Sequence, residues 1–86
     1  MGEFKDGEIE AILQDAFHPH DCRVQLKDNL FLGFVYSIKG RNMFPIRLVE
    51  SEVSTRSDLA AHILKIQAYQ STKKVHFDAW TMPAAR

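Results

Sequence analysis

The sequence contains only one cysteine and no excess of charge of either sign. Because Cys22 is alone, no disulfide bond can form within the chain, which suits a reducing compartment. The 11 basic residues balance the 11 acidic residues, whereas a dedicated binder of nucleic acid or acidic lipid carries a basic excess. No apolar run approaches the roughly 20 residues that cross a bilayer. We therefore expect a cytoplasmic protein with no membrane partner.

Glycine and proline are also scarce, with four and three residues in the chain. This composition is not that of a disordered segment, and the apolar fraction of 45% is ordinary for a globular protein. A chain of 86 residues has the size of one domain. We predict a single domain over residues 1–86, with an ordered core at about 6–70 and a C-terminal arm at 71–86.

Apolar residues recur at helical spacing near both ends of this core. The first apolar stripe runs from Ile9 to Phe17 and stops before Pro19, which disfavours helical geometry in the preceding residue. The second stripe lies within residues 59–66 and follows Thr55-x-x-Asp58, which matches a capping box in outline. The sequence therefore predicts two helices, the second ending near residue 70.

Three segments between the helices have the pattern of strands. Residues 22–27 alternate apolar and polar side chains, residues 30–38 are apolar on both faces, and residues 43–49 contain Pro45. Because proline cannot donate a hydrogen bond to a ladder, the third segment belongs at an edge. The predicted fold class is α+β in αβββα(β) order: an antiparallel three-stranded meander with two helices packed on one face. Residues 75–80 form either a short C-terminal strand or a docking arm.

The turn between the first two strands decides which residues face the helices. A three-residue loop at 27–29 places Val24 and Leu26 on one face with Leu32 and Phe34, whereas a two-residue loop at 28–29 reverses that relation. We favour the three-residue loop because it gathers the large side chains on one core face. The opposite face is then apolar and needs a cover, either the C-terminal arm or a second copy. The predicted interaction surface comprises Phe31, Val35, Met43, Val49, Phe77 and Trp80.

The densest polar cluster is His18-Pro19-His20-Asp21-Cys22, which contains three types of metal-ligating side chain. Adjacent strand residues point to opposite faces, so Asp21 and Cys22 do not readily share an ion, and the paired spacing of zinc motifs is missing. Nothing in the spacing gives Cys22 a histidine partner for nucleophilic catalysis. We expect no catalytic, metal-binding or cofactor-binding residues, and a metal- or thiol-dependent enzyme is the third hypothesis.

Helix, three strands and helix is also the layout of double-stranded-RNA-binding domains. Those domains carry a basic cluster at the start of the second helix. Here residues 54–58 contain one arginine, Arg56, and one aspartate, Asp58. A nucleic-acid-binding adaptor is therefore the alternative hypothesis, and we do not expect nucleic acid as a partner. The first hypothesis is a small non-enzymatic protein-interaction module that needs no cofactor and self-associates as a homodimer, or binds another protein.

Residues 17–22 form a Phe-x-Pro-x-x-Cys junction between the first helix and the meander, and residues 54–57 form a serine-rich cap before an Ile/Leu helix. In these two segments the chain resembles a family of small, functionally uncharacterised proteins found mainly in pseudomonads. Residues 37–40 depart from the Asp-Pro and Gly-rich turns of that family. The resemblance covers about residues 8–68 and implies a bacterial protein of the same layout. Because the family has no assigned activity, it implies no function.

Overall fold

The computed structural model describes residues 4–37 and 43–83. In chain order these residues form helix α1 (Glu8–Ala16), strands β1 (Asp21–Lys27), β2 (Leu30–Tyr36) and β3 (Met43–Val49), a short 3-10 helix (Glu50–Val53) and helix α2 (Arg56–Ser71). The predicted α+β fold in αβββα order is confirmed. The predicted end of the second strand at Ile38 lies outside the described residues. None of the helices in these ranges combines the length and the apolarity needed to cross a bilayer.

The three strands form one antiparallel sheet with β2 in the middle, so β3 lies at an edge as predicted. Lys27 pairs directly with Leu30, which leaves a two-residue turn at Asp28 and Asn29. Both turn residues have positive φ values, 53° and 64°. Two left-handed residues give the turn whose twist matches a hairpin, and Asp and Asn tolerate this conformation. The predicted three-residue loop is therefore wrong.

This shorter turn reverses the predicted facing of the sheet. Phe31 and Val35 are buried at 2% and 0% exposure, whereas Leu32 and Phe34 point away from the helices. The cause is the two-residue period of a strand: moving the pairing by one residue exchanges the two faces. The expectation that Phe31 and Val35 lie on the uncovered face is wrong. We call the helix-covered side the inner face and the opposite side the outer face.

The two helices pack side by side over the inner face and run in the same direction. At their N-terminal ends the Arg56 guanidinium donates to the Glu8 carboxylate at 3.0 Å. At their C-terminal ends the Gln67 side-chain amide donates to the Ala16 carbonyl at 2.7 Å. The predicted cap of α2 is confirmed, because the Thr55 hydroxyl accepts from the backbone N–H of residue 58 at 3.1 Å. The core joins both helices to the sheet through Ile9, Ile12, Leu13, Ala16, Phe17, Cys22, Phe31, Val35, Ile46, Leu48, Val53, Leu59 and Ile63.

A close approach between β1 and β2 requires glycine at position 33. Gly33 lies on the inner face between Val24 and Ile46. A Cβ atom added to it would lie 1.8 Å from the Arg23 carbonyl oxygen. Real Cβ atoms do not approach backbone so closely, so any other residue here would have to push the two strands apart.

Residues 75–83 form an arm without helix or strand, so the docking arm is observed and the fourth strand is not. The arm begins beside the C-terminal end of α1, where the Asp78 N–H donates to the His18 carbonyl at 3.0 Å. Its Phe77 ring packs edge-on against Phe17. At the other end the Pro83 carbonyl accepts from Arg56 at 3.0 Å. The arm therefore runs back along the helical side of the domain, opposite in direction to both helices.

Candidate interaction surface

The outer face of the sheet carries twelve side chains in an ordered arrangement, four from each strand. On β1 all four are polar, and on β2 all four are apolar. On β3 the four comprise three apolar residues and one arginine. Reading across the strands from one end to the other, the rows are Asp21–Tyr36–Met43, Arg23–Phe34–Pro45, Gln25–Leu32–Arg47 and Lys27–Leu30–Val49.

Large apolar side chains on this face remain open to solvent. Leu32 is 40% exposed, Phe34 38%, Tyr36 36% and Met43 55%. The rings of Phe34 and Tyr36 lie beside one another, with centroids 6.0 Å apart. A contiguous exposed apolar patch with a polar rim is typical of a surface that binds a partner.

In the described part of the chain both helices and the C-terminal arm pack on the inner side, so they leave the outer face uncovered. The arm contacts His18 and Phe17 at one end and Arg56 at the other. Its side chains Phe77, Trp80 and Met82 pack against the hydrophobic core. The sequence offered two covers for the second face of the sheet, the arm or a second copy. The arm lies elsewhere.

The six residues of the predicted interaction surface separate into three groups. Phe31 and Val35 belong to the core and cannot contact a partner in the folded domain. Met43 and Val49 lie on the outer face, where Met43 is exposed and Val49 partly buried. Phe77 and Trp80 are partly buried against the core from the helical side.

The outer-face residues Leu32, Phe34 and Tyr36 were missed because β2 is apolar on both faces. Its own pattern therefore gives no indication of which face is buried. The neighbouring strand holds a clearer signal. Phe44, Ile46 and Leu48 alternate with Pro45 and Arg47 along β3, and an arginine disfavours burial.

The histidine-rich junction before β1 serves to attach the arm. The His18 Nδ1 atom lies 2.6 Å from the Asp78 carboxylate, and both side chains are exposed. The buried His20 ring donates from Nε2 to the His76 carbonyl at 2.6 Å and packs edge-on against Phe77. Among the described residues no three His, Cys, Asp or Glu side chains are grouped as ligands for a metal ion.

The Cys22 thiol is placed for packing. It is 2% exposed on the inner face of β1. Burial raises its pKa to about 12, and the neighbouring Asp21 carboxylate adds to the effect. A thiol with this pKa stays protonated near neutral pH, and the protonated form is a poor nucleophile and metal ligand.

Arg56, at the start of α2, links this helix to α1, to the C-terminal arm and to the N-terminal segment. Its guanidinium donates to Glu8 and to the Pro83 carbonyl, and it lies 4.9 Å from the centroid of the Phe4 ring. The pKa of Glu8 lies below its ordinary value because the Lys5 backbone N–H and then the Arg56 guanidinium donate to its carboxylate. With a side chain only 15% exposed, Arg56 is not placed to contact the phosphates of a nucleic acid.

An open groove of about 860 Å³ lies where the N-terminal segment, the β1–β2 turn and the 3-10 helix meet. Apolar side chains, including Ile9, Leu26 and Phe31, line it together with the carboxylates of Glu10 and Glu50. Its lining contains no histidine, cysteine or basic group except Lys5. The lining also includes Asp6 and the hydroxyl groups of Ser51 and Ser54, and the Ser54 hydroxyl donates to the Ser51 carbonyl at 3.4 Å.

No protein-family model, curated protein or solved structure matches this chain. Any function must therefore be argued from the geometry of the described residues.

Proposed function

We propose that this protein is a small non-enzymatic interaction module that self-associates through the outer face of its sheet. The observation that carries the proposal is the row of apolar side chains on β2, of which Leu32, Phe34 and Tyr36 are more than one third exposed. The buried and protonated Cys22 thiol supports a role without catalysis. The resemblance to small pseudomonad proteins stays a prediction and adds no activity to this proposal.

The size of the outer face sets the expected strength of association. Each strand has seven residues, which at about 3.3 Å per residue gives a sheet roughly 23 Å long. Three strands at a spacing of about 4.8 Å make the sheet about 14 Å wide. Even with the relief of the side chains, two such faces bury no more than the roughly 1,200 Å² at the lower limit of stable interfaces. We therefore expect reversible association in the micromolar range or weaker.

Sedimentation equilibrium over a wide concentration range tests the proposal. The wild-type protein is expected to shift from monomer toward dimer as its concentration rises, and Phe34→Glu is expected to remain monomeric. Leu64→Glu is the matched control, because Leu64 is a large apolar residue that is 56% exposed on α2, away from the sheet. Circular dichroism of each variant checks that it is folded. A wild-type protein that stays monomeric at the highest concentrations, or equal loss of association in both variants, would refute the proposal.

A nucleic-acid-binding adaptor is the second candidate, and one observation favours it. Arg23 lies directly beside the exposed ring of Phe34 on the outer face, and Arg47 lies in the next row, beside Leu32. Basic groups beside exposed aromatic rings are how many proteins hold single-stranded nucleic acid, with bases stacked on the rings. The zero net charge of the chain argues against this function.

Sedimentation in the presence of labelled single-stranded and duplex RNA separates the two candidates. Our proposal predicts no co-sedimentation of either RNA at physiological salt. Binding of the single strand that weakens in Phe34→Ala and at higher salt would favour the adaptor. Binding of the duplex would favour the double-stranded-RNA type.

A further inference from the structure

We propose that the two copies pack outer face against outer face with antiparallel strands, each strand over the same strand of the second copy. The two-fold axis then lies in the interface, nearly perpendicular to the strands, and passes between Leu32 and Phe34. This inference rests on the proposed function. It adds the arrangement of the partner, which the apolar patch alone does not determine.

The unequal polarity of the three strands selects this arrangement. The outer positions of β1 are all polar and those of β2 all apolar, while β3 presents mainly apolar residues. An axis perpendicular to the strands places β1 over β1 and β3 over β3, so that polar strands meet polar strands. An axis along the strands instead places β1 over β3 and brings Asp21 over Met43 and Lys27 over Val49. Burying these charges against apolar side chains is unfavourable.

The order of charges along β1 favours the same arrangement. When the strands are antiparallel, the row that begins with Asp21 lies over the row that begins with Lys27 in the second copy. Each dimer then gains two pairs of opposite charge at its rim, and Arg23 lies opposite Gln25. Arg47 on β3 lies opposite Pro45. No two like charges face each other, although the outer face carries three basic residues and one acidic residue.

The centre of this interface pairs apolar side chains of different shape. Leu32 of each copy lies over Phe34 of the other, and Leu30 lies over Tyr36. Alternating branched and aromatic residues can interdigitate, as the inner faces of packed sheets do at about 10 Å separation. Because sheets are twisted, the two packed sheets cross at about 30°. This crossing moves the ends of the two β1 strands, one from each copy, apart by a few ångströms, a distance that lysine side chains can span.

Charge exchange between positions 21 and 27 tests the arrangement by sedimentation equilibrium. Asp21→Lys and Lys27→Asp each turn two attractive pairs into two repulsive ones, so each is expected to weaken dimerisation by roughly tenfold. The double variant Asp21→Lys/Lys27→Asp restores opposite charges and is expected to return close to wild-type association. Glu52→Lys, an exposed charge in the 3-10 helix, is the matched control and should leave dimerisation unchanged. Loss in the double variant that equals the sum of the two single losses would overturn the arrangement.

Cross-linking gives a second test that does not depend on charge. A short bismaleimide is applied to mixtures of two variants of different mass, each with one cysteine introduced in addition to the native Cys22. The antiparallel arrangement predicts hetero-dimers for Asp21→Cys with Lys27→Cys, and none for Asp21→Cys with Met43→Cys. The native Cys22 is buried and protonated, and wild-type protein serves as the blank. The reverse pattern would refute this arrangement but leave self-association through the outer face intact. If no dimer exists at any concentration, both the arrangement and the proposed function are wrong.

Discussion

Substituting two adjacent residues of the central strand tests which face of the sheet is buried. Phe31 is 2% exposed and Leu32 is 40% exposed, although they are neighbours of similar hydrophobicity. We expect Phe31→Ala to be far more destabilising than Leu32→Ala. The opposite order would follow from a three-residue loop at positions 27–29, so the experiment decides between two specific structures.

The magnitudes follow from burial. Truncating a buried phenylalanine removes its apolar area from the core and leaves a cavity, which costs about 3–5 kcal/mol. Leu32 keeps part of its area in solvent already, and water fills the space that its truncation leaves. Its loss is therefore a fraction of the roughly 1.5–3 kcal/mol of full burial, or about 1 kcal/mol. A domain of this size has a free energy of unfolding of roughly 4–13 kcal/mol, so Phe31→Ala removes a large share of it.

Urea unfolding followed by circular dichroism and by the NMR signals of the sheet amides provides the measurement. The protein concentration is kept low, so that any contribution of Leu32 to dimerisation does not enter the free energy of unfolding. Coincident transitions from the two probes establish that the two-state treatment applies. A cost for Leu32→Ala that equals or exceeds that for Phe31→Ala would refute the facing of the sheet, and with it the outer face as an interface.

Three further substitutions have expected outcomes. Gly33→Ala should destabilise the domain by at least about 2 kcal/mol in urea melts, because a Cβ would collide with a β1 carbonyl. Gly7 has φ +80° and no atom near its added Cβ, so Gly7→Ala should cost only about 1 kcal/mol. Equal costs for the two substitutions would contradict the close approach of β1 and β2. The pKa of Cys22 rises on folding from 9.0 to about 12, so the thiol ionises first in the unfolded chain as the pH rises. The free energy of unfolding of the wild type should therefore fall by up to about 1.4 kcal/mol per pH unit above about pH 9. Melts of Cys22→Ala should lack this pH-dependent loss. The Gln70 side chain is 1% exposed, and its amide has no hydrogen-bond partner among the described residues. Gln70→Met should therefore raise the melting temperature and stabilise the folded domain by about 1–2 kcal/mol. A loss of stability would show that the amide is hydrogen-bonded.

The order of elements could be predicted because each carries its own local signal. Helical spacing marks α1, and Pro19 follows it within three residues of its end at Ala16. The bounds of β3 were predicted as observed, since Pro45 places the strand at an edge without interrupting it. Thr55 caps α2 as its position in the capping box indicates. These features depend on neighbours in the sequence, which a single chain displays directly.

The facing of the sheet could not be predicted with the same success because it depends on one turn. Two or three residues between β1 and β2 give equally plausible hairpins, and the choice exchanges every side chain between the faces. The wrong choice followed from an argument about size, that Leu32 and Phe34 must belong to the core because they are large. The left-handed geometry of Asp28 and Asn29 outweighs that argument. The attachment of the arm to the His18 region was also missed, since partners 60 residues apart leave no local pattern.

The attachments of the arm have a consequence for the order of folding. The sheet closes through a two-residue turn between β1 and β2, whereas the arm bonds span 56 and 60 residues. Long loops close at a greater entropic cost, so we expect the hairpin to form first and residues 75–83 to dock last. In the native state the same residues should open without global unfolding, and their amides should exchange with solvent sooner than those of β2. The domain thus has a detachable segment on its helical side, while the sheet that carries the outer face keeps its hydrogen bonds.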